Sequence, residues 1–441
     1  MNELRLLGLL VFVSLLFVGS CKVLASNPVL ENGVTDFPCV ATLPSNTELP
    51  DLFTMRNGQK ISTVKDWERL RRPELIELFQ YYMYGYLPPA PKSPQFVVEA
   101  MDAHKFNGKA TLRIVTIKPD GNVSPFSLLL LLPNQSEKAY PVFIGLNFVG
   151  NHTVSDFPEI PLPDVWVNPG WSGSEEPVAS DAQRGIRSNR WPLEMIIDRG
   201  YGVATIYAGE ISPDYSQVKG YEGCVDGPHR AYLASESGRP VGSEWGQVAA
   251  WAWGIQRGVD YLVNCDFVNP NKIIAVGHSR LGKAALLAGA LDERIAVVIP
   301  SQAGSGATSP SRFNVGESIG HMNDRFPLWF NEVFKSFNHQ VDRLPFDQHA
   351  LLALVAPRPL LLTNATGDQW ADPEGQFNML LEASQVYELY GKEGLTATEF
   401  PDEDLLIDSR LGYFIRAGSH DMTKVEWNAW MDFCAIHLDE K

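Results

Sequence analysis

One short run carries most of the chemistry in this sequence: Gly277-His278-Ser279-Arg280-Leu281-Gly282-Lys283. The apolar stretch Lys272 to Val276 precedes it and the alanine-rich Gly282 to Leu291 follows, a pattern that predicts strand, tight turn and helix. A serine on such a turn exposes its hydroxyl at a helix N-terminus, where the helix dipole and unpaired backbone N–H groups favour a developing oxyanion. The spacing differs from G-x-S-x-G, because the second glycine, Gly282, lies three residues after Ser279. The competing reading of Ser279 is an ordinary helix cap. The strand and helix on either side favour a nucleophile.

A serine nucleophile needs a base, and the base needs an orienting carboxylate. In α/β-hydrolase order the acid follows a late strand and the histidine follows the last one. Both positions are filled. The strand-like Arg358 to Leu362 leads to Asp368, and Gly412 to Arg416 leads to Ala417-Gly418-Ser419-His420-Asp421. Of the nine histidines His420 is the best placed: His278 is expected to point from the wrong side of the turn, and His437 sits in an amphipathic terminal helix. Asp368 competes with a reading as a turn or cap aspartate; Asp421 and Glu317 are the next carboxylates to consider.

The elements that must position these groups follow from periodicity. Trp67 to Tyr86 reads as a helix that stops at Pro88-Pro89, and Ala110 to Ile117, Phe126 to Leu132 and Pro141 to Leu146 read as strands. A Pro/Trp/Gly-rich excursion from Phe157 to Pro192 is too long for an ordinary connection and is expected to form a rim or lid. Strand and helix then alternate: Gly202 to Tyr207, Trp245 to Asn264, Lys272 to Val276, Gly282 to Leu291 and Ile295 to Ile299. Such alternation implies an α/β fold, a mostly parallel sheet covered by helices on both faces in a three-layer sandwich.

Composition narrows the partners. With 36 Lys+Arg against 52 Asp+Glu the formal charge is −16, so no general basic surface attracts nucleic acid, and an anionic ligand would need a local cationic pocket. Residues 1–25 read as an export signal: the uncharged stretch after Arg5 is short for a membrane span and suits a signal core. Val18-Gly19-Ser20-Cys21 resembles a bacterial lipobox, predicting a lipid anchor at Cys21 and the cell envelope; Val23-Leu24-Ala25 offers cleavage and free secretion instead. Residues 26–64 read as a lead-in or tether and 65–441 as a single domain, expected to act as a monomer. Cys39, Cys224, Cys265 and Cys434 are scattered, compatible with one or two bridges or with buried thiols, and lack the spacing of a zinc site.

The run GHSRLGKAALLAGALDERIAVVIPS, together with LPFDQHALLALVAPRPLL, WADPEGQF and GSHDM downstream, and LNFVGNHT and EWGQVAAWAWGIQRGVDYL upstream, resembles the glucuronoyl esterases of carbohydrate esterase family 15 in its bacterial branch. The resemblance covers about residues 65 to 440 and implies an α/β-hydrolase domain, without metal or cofactor, that cleaves esters between glucuronic acid side groups of xylan and lignin alcohols. It implies Ser279 as nucleophile, His420 as base and Arg280 as oxyanion stabiliser. It also implies substrate contacts from Lys283, Trp370 and Glu317, for which core packing of Trp370 and a Glu317–Arg312 ion pair are the structural alternatives. One departure stands out: many members place the triad acid, a glutamate, in the segment corresponding to Pro300–Gly304, where this sequence has Gln302. Asp368 must then serve as acid. Two other readings remain: an esterase acting on another carbohydrate ester, such as an acetyl group, and a carbohydrate-binding protein with reduced turnover.

Overall fold

The computed structural model describes residues 37–135, 139–215, 218–219, 223–233, 240–313 and 315–438. Nine strands form one sheet: β1 (Gln95–His104), β2 (Ala110–Lys118), β3 (Phe126–Pro133), β4 (Tyr140–Asn147), β5 (Gly202–Tyr207), β6 (Val268–His278), β7 (Ile295–Ser301), β8 (Leu360–Ala365) and β9 (Leu411–Arg416). Their order is β1-β2-β3-β5-β4-β6-β7-β8-β9. The first three and the β3–β5 pair are antiparallel, and every pairing from β5 through β4 to β9 is parallel. The parallel strands are buried on both faces and therefore read as unbroken apolar runs such as IAVVIPS in β7.

Helices cover both faces. Gln247–Leu262 and Arg280–Leu291 bury their apolar sides in one core with Leu128, Ile144 and Val298, while Leu193–Asp198 and Lys424–His437 pack Ile196, Trp427 and Trp430 into a second core with Phe143 and Ile299. Alanines and a glycine bring Arg280–Leu291 close to the sheet: a Cβ on Gly289 would stand 2.4 Å from Val298 Cγ2. The helix that begins after the turn is thus held tightly to the strands that flank it.

The strands and helices expected from periodicity are present, most with shifted ends, and the elements not anticipated include β1, the short helix Leu193–Asp198 and the helix Pro373–Leu389. β1 has a half-exposed edge pattern that leaves little apolar signal, and Pro373–Leu389 is a 17-residue helix capped by Asp372, whose carboxylate accepts from Gly375 N–H. The excursion through Phe157–Pro192 is a rim. Arg184 donates to the carbonyls of Phe157 and Ile160, and Ser180 and Gln183 form a capping box that ties it down.

Residues 1–36 lie outside the described residues, so the export signal and Cys21 are outside as well. From Phe37 onward the segment expected as a lead-in packs into the main core through Phe37, Val40, Leu43, Leu52 and Ile61, with the Phe37 ring 5.0 Å from that of Tyr81. Among the described residues no helix is long and apolar enough to cross a membrane.

Cys39, Cys224, Cys265 and Cys434 all stand as thiols rather than half-cystines, so no cross-link among the described residues restrains the unfolded chain. Reductant should therefore leave Tm unchanged, and thiol titration of the denatured, unreduced protein should detect these four beside any contribution from Cys21. A fall in Tm on reduction would show instead that a bridge forms.

Candidate active site

β6 delivers the chain to Gly277-His278, and the backbone then turns at Ser279 with φ 59° and ψ −131°. That conformation is strained for a residue with a side chain. It persists because neighbours fix it: Ser279 N–H donates to Ser301 O of β7 at 2.9 Å, and Ser279 O accepts from Gly282 and Lys283 N–H as the helix begins. The turn is so tight that a Cβ on Gly277 would lie 2.1 Å from Leu281 O. Ser279 thus stands at the N-terminus of a twelve-residue helix, where its hydroxyl meets the positive end of the helix dipole.

His420 rides on the loop after β9. Its Nδ1 lies 2.6 Å from Asp368 Oδ2, and because the partner is a carboxylate this nitrogen carries the hydrogen, leaving Nε2 as the basic atom of the neutral ring. Asp368, three residues past β8, is largely buried, and its own N–H donates to Ala365 O at 3.0 Å. Ser279, Arg280, His278 and His420 all line one cleft of about 270 Å³ walled by Phe148 and Trp171. Arg187 and Arg190 line it too, so the cleft is locally cationic in an acidic chain.

The His278 ring is 4.5 Å from that of His420, contrary to the expectation that it points away from the chemistry. Arg190 Nη2 donates to His278 Nδ1 at 2.9 Å. Burial, with the charges of His420 and Arg190 adding to it, pushes the His278 pKa well below the usual histidine value. A second imidazole therefore sits beside His420 without competing for its proton.

Arg280 is caged. Nη1 donates to Asp214 Oδ2 at 2.5 Å, and the guanidinium carbon lies 4.6 to 4.9 Å from the ring centres of Trp329, Trp171 and Phe326. Its buried Nε finds no hydrogen-bond partner among the described residues. Trp171 comes from the excursion expected as a rim or lid, whereas Asp214, Phe326 and Trp329 come from segments that the sequence pattern did not connect with the site.

Lys283, Glu317 and Trp370 do not line this cleft. Lys283 Nζ donates to Ala303 O at 2.7 Å and Ser305 O at 2.5 Å and lies 3.7 Å from Glu317 Oε2. Burial pushes its pKa down to about 8, with Glu317 opposing the shift. The alternative Glu317–Arg312 pair is overturned, because Arg312 pairs with the fully buried Asp347 at 3.0 Å. Trp370 is 50% exposed beside His321, which excludes core packing, while its carbonyl accepts from Glu317 N–H at 3.2 Å. The three form a connected rim beside Asp368. Gln302 makes its hydrogen bonds to Asp421 and Glu426 rather than to His420. Among the described residues no group of three or more His, Cys, Asp or Glu side chains could hold a metal ion.

The sheet order, the serine elbow and the histidine loop define an α/β-hydrolase. The family model described as "Glucuronyl esterase, fungi" matches residues 240–391. Carbohydrate esterase MZ0003 from an unknown prokaryotic organism is 38% identical over 401 residues, covering 90% of this chain and 91% of that protein. Two solved structures are similar over most of the chain: a promiscuous CE15 esterase from a marine bacterial metagenome (37% identity, TM-score 0.82, 90% and 98% of the two chains) and the glucuronoyl esterase of Solibacter usitatus (36%, 0.80, 90% and 99%). The chain belongs to carbohydrate esterase family 15, the glucuronoyl esterases, and is by that membership a carboxylic ester hydrolase.

The elbow admits no side chain at Gly277. Gly277→Ala would push a methyl group into a backbone carbonyl that cannot yield, so a stability loss on the order of 1–3 kcal/mol is expected, with activity falling further as Ser279 is displaced. Denaturant unfolding beside ester hydrolysis checks this, and wild-type stability would contradict the geometry.

Proposed function

We propose that this protein is a serine esterase that hydrolyses the ester between a (4-O-methyl-)glucuronic acid side group of glucuronoxylan and a lignin alcohol. The observation that carries the reading is the His420–Asp368 pair at 2.6 Å, held on the cleft that Ser279 lines. The Ser279 hydroxyl attacks the uronate carbonyl while His420 Nε2 takes its proton. The carbonyl π electrons move to oxygen, where the Arg280 backbone N–H at the helix start and the caged guanidinium stabilise the oxyanion. Collapse expels the alcohol with the proton held by His420, leaving glucuronoyl-Ser279. Water, deprotonated by His420, reverses these steps and releases glucuronate. Asp368 stabilises the imidazolium in both halves. Arg187 and Arg190 supply positive charge near the carboxylate product.

The sugar is assigned to the Lys283–Glu317–Trp370 rim, where an exposed indole offers a ring face and a buried ion pair stands behind it. A second reading, turnover of other carbohydrate esters such as acetyl xylan, is kept because one similar structure is of an esterase described as promiscuous. Export with a lipid anchor at Cys21 is proposed from the signal-like N-terminal sequence.

Activity on benzyl glucuronate should exceed that on acetylated xylan; the reverse preference would replace the substrate assignment. Ser279→Ala should abolish hydrolysis with the fold intact. Asp368→Asn should lower kcat by up to about 10⁴-fold, because a neutral partner cannot stabilise the imidazolium. Near-wild-type kcat/KM in Asp368→Asn would transfer the acid role to another carboxylate. Arg280→Lys keeps the charge but loses the planar fork that the cage fits, so a loss of roughly 10- to 1,000-fold in kcat is expected. A change confined to KM would make Arg280 a ground-state binding residue.

A further inference from the structure

The loop carrying His420 is tied to the end of β7 by one side chain. Gln302, the first residue past β7, is 1% exposed, has φ 47°, and is anchored by its own N–H to Thr363 O of β8 at 2.7 Å. Its amide acts in both senses. Oε1 accepts Asp421 N–H at 3.2 Å, while Nε2 donates to Asp421 O at 2.6 Å and to Glu426 Oε1 at 3.2 Å. Asp421 directly follows His420, so the amide grips both backbone groups of the neighbouring residue. Arg416 completes the clamp: it donates to the carbonyls of Ala417, Ser419 and Asp421 and forms a buried ion pair with Glu426.

We propose that Gln302 is a positioning residue for the base: with Arg416 and Glu426 it clamps the backbone at Asp421 and so keeps His420 aimed between Asp368 and Ser279. The chemistry of the cluster demands an amide. A donor must face the Asp421 carbonyl and the Glu426 carboxylate while an acceptor faces the Asp421 N–H, a combination that glutamine supplies and ionised glutamate does not. A carboxylate at residue 302 would face the Asp421 carbonyl and the Glu426 carboxylate with no proton to offer either, and Arg416 is already committed to Glu426, so the exchange is unfavourable. The glutamate that many family members carry in this segment is therefore harmful in this chain, and Gln302 is not a weakened acid. The inference rests on His420 being the base.

The test compares wild type, Gln302→Glu, Gln302→Met, Asp368→Asn, Asp368→Asn with Gln302→Glu, and His420→Ala on benzyl glucuronate, with Tm measured for each. Gln302→Met keeps the length and neutrality of the side chain and removes its hydrogen bonds. Because a base displaced by a fraction of an ångström impairs proton transfer more than binding, both Gln302 variants should lose on the order of 10- to 100-fold in kcat with KM nearly unchanged. The double variant should be no more active than Asp368→Asn. Wild-type kcat in Gln302→Met, or recovery of Asp368→Asn by Gln302→Glu, would overturn the clamp. If Gln302→Glu fails to fold, Gln302→Met carries the test alone. An active His420→Ala would instead overturn the reading beneath the clamp, so the two failures are told apart.

Discussion

Ser279 occupies a backbone conformation that a side chain adopts only under constraint, and the site is organised around keeping it there. Holding φ at 59° costs about 1–3 kcal/mol, which the surroundings must offset. They do so through β7, whose Ser301 carbonyl receives the Ser279 N–H, and through small residues that let helix and sheet close on the turn. Gly282 is one of these, since a Cβ there would come within 3.0 to 3.2 Å of Gly277 O, Ser301 O and Ala303 Cβ. The second glycine of the motif is thus a packing requirement at this distance. The helix that starts after Ser279 brings Arg280 to its first turn, directly beside the reacting centre.

Electrostatics in the cleft are local and opposed to the chain as a whole. A formal charge of −16 spreads over the surface, yet the cleft gathers Arg187, Arg190 and Arg280. Each has a partner that limits its freedom: Arg187 donates to Trp171 O, Arg190 pairs with Asp421 at 3.1 Å, and Arg280 pairs with Asp214 inside its aromatic cage. Fixed cations stabilise charge that develops in a transition state without reorganising at the moment of reaction. The neutral His278 fits this scheme, because a second imidazolium beside His420 would oppose protonation of the base.

What the sequence made legible was whatever depends on local pattern. The strand, serine and helix around Ser279 form one contiguous signal, and the strand-end positions of Asp368 and His420 follow from the order of elements. The α/β layering followed from unbroken apolar strands alternating with helices. Contacts made across long separations were hidden: the Asp214–Arg280 pair spans 66 residues and the Arg190–His278 contact 88. No periodicity reports such pairs, because loops that pack over the sheet carry no repeat. The direction of His278 was misjudged as well, since the strained turn that follows it at Ser279 leaves its ring 4.5 Å from that of His420.

The position of Asp368 has a geometric explanation in the order of the parallel strands. β8 is the direct neighbour of β9, with Ala365 opposite Arg416. An acid three residues past Ala365 therefore meets a histidine four residues past Arg416 at nearly the same height. The aspartate after β8 closes to 2.6 Å on the ring, while the residue after β7 meets the backbone of the same loop at Asp421. Once β8 supplies the acid, the end of β7 is released from that task. Its side chain can then face the backbone of the histidine loop instead of the ring, and an amide is the group that satisfies what it finds there.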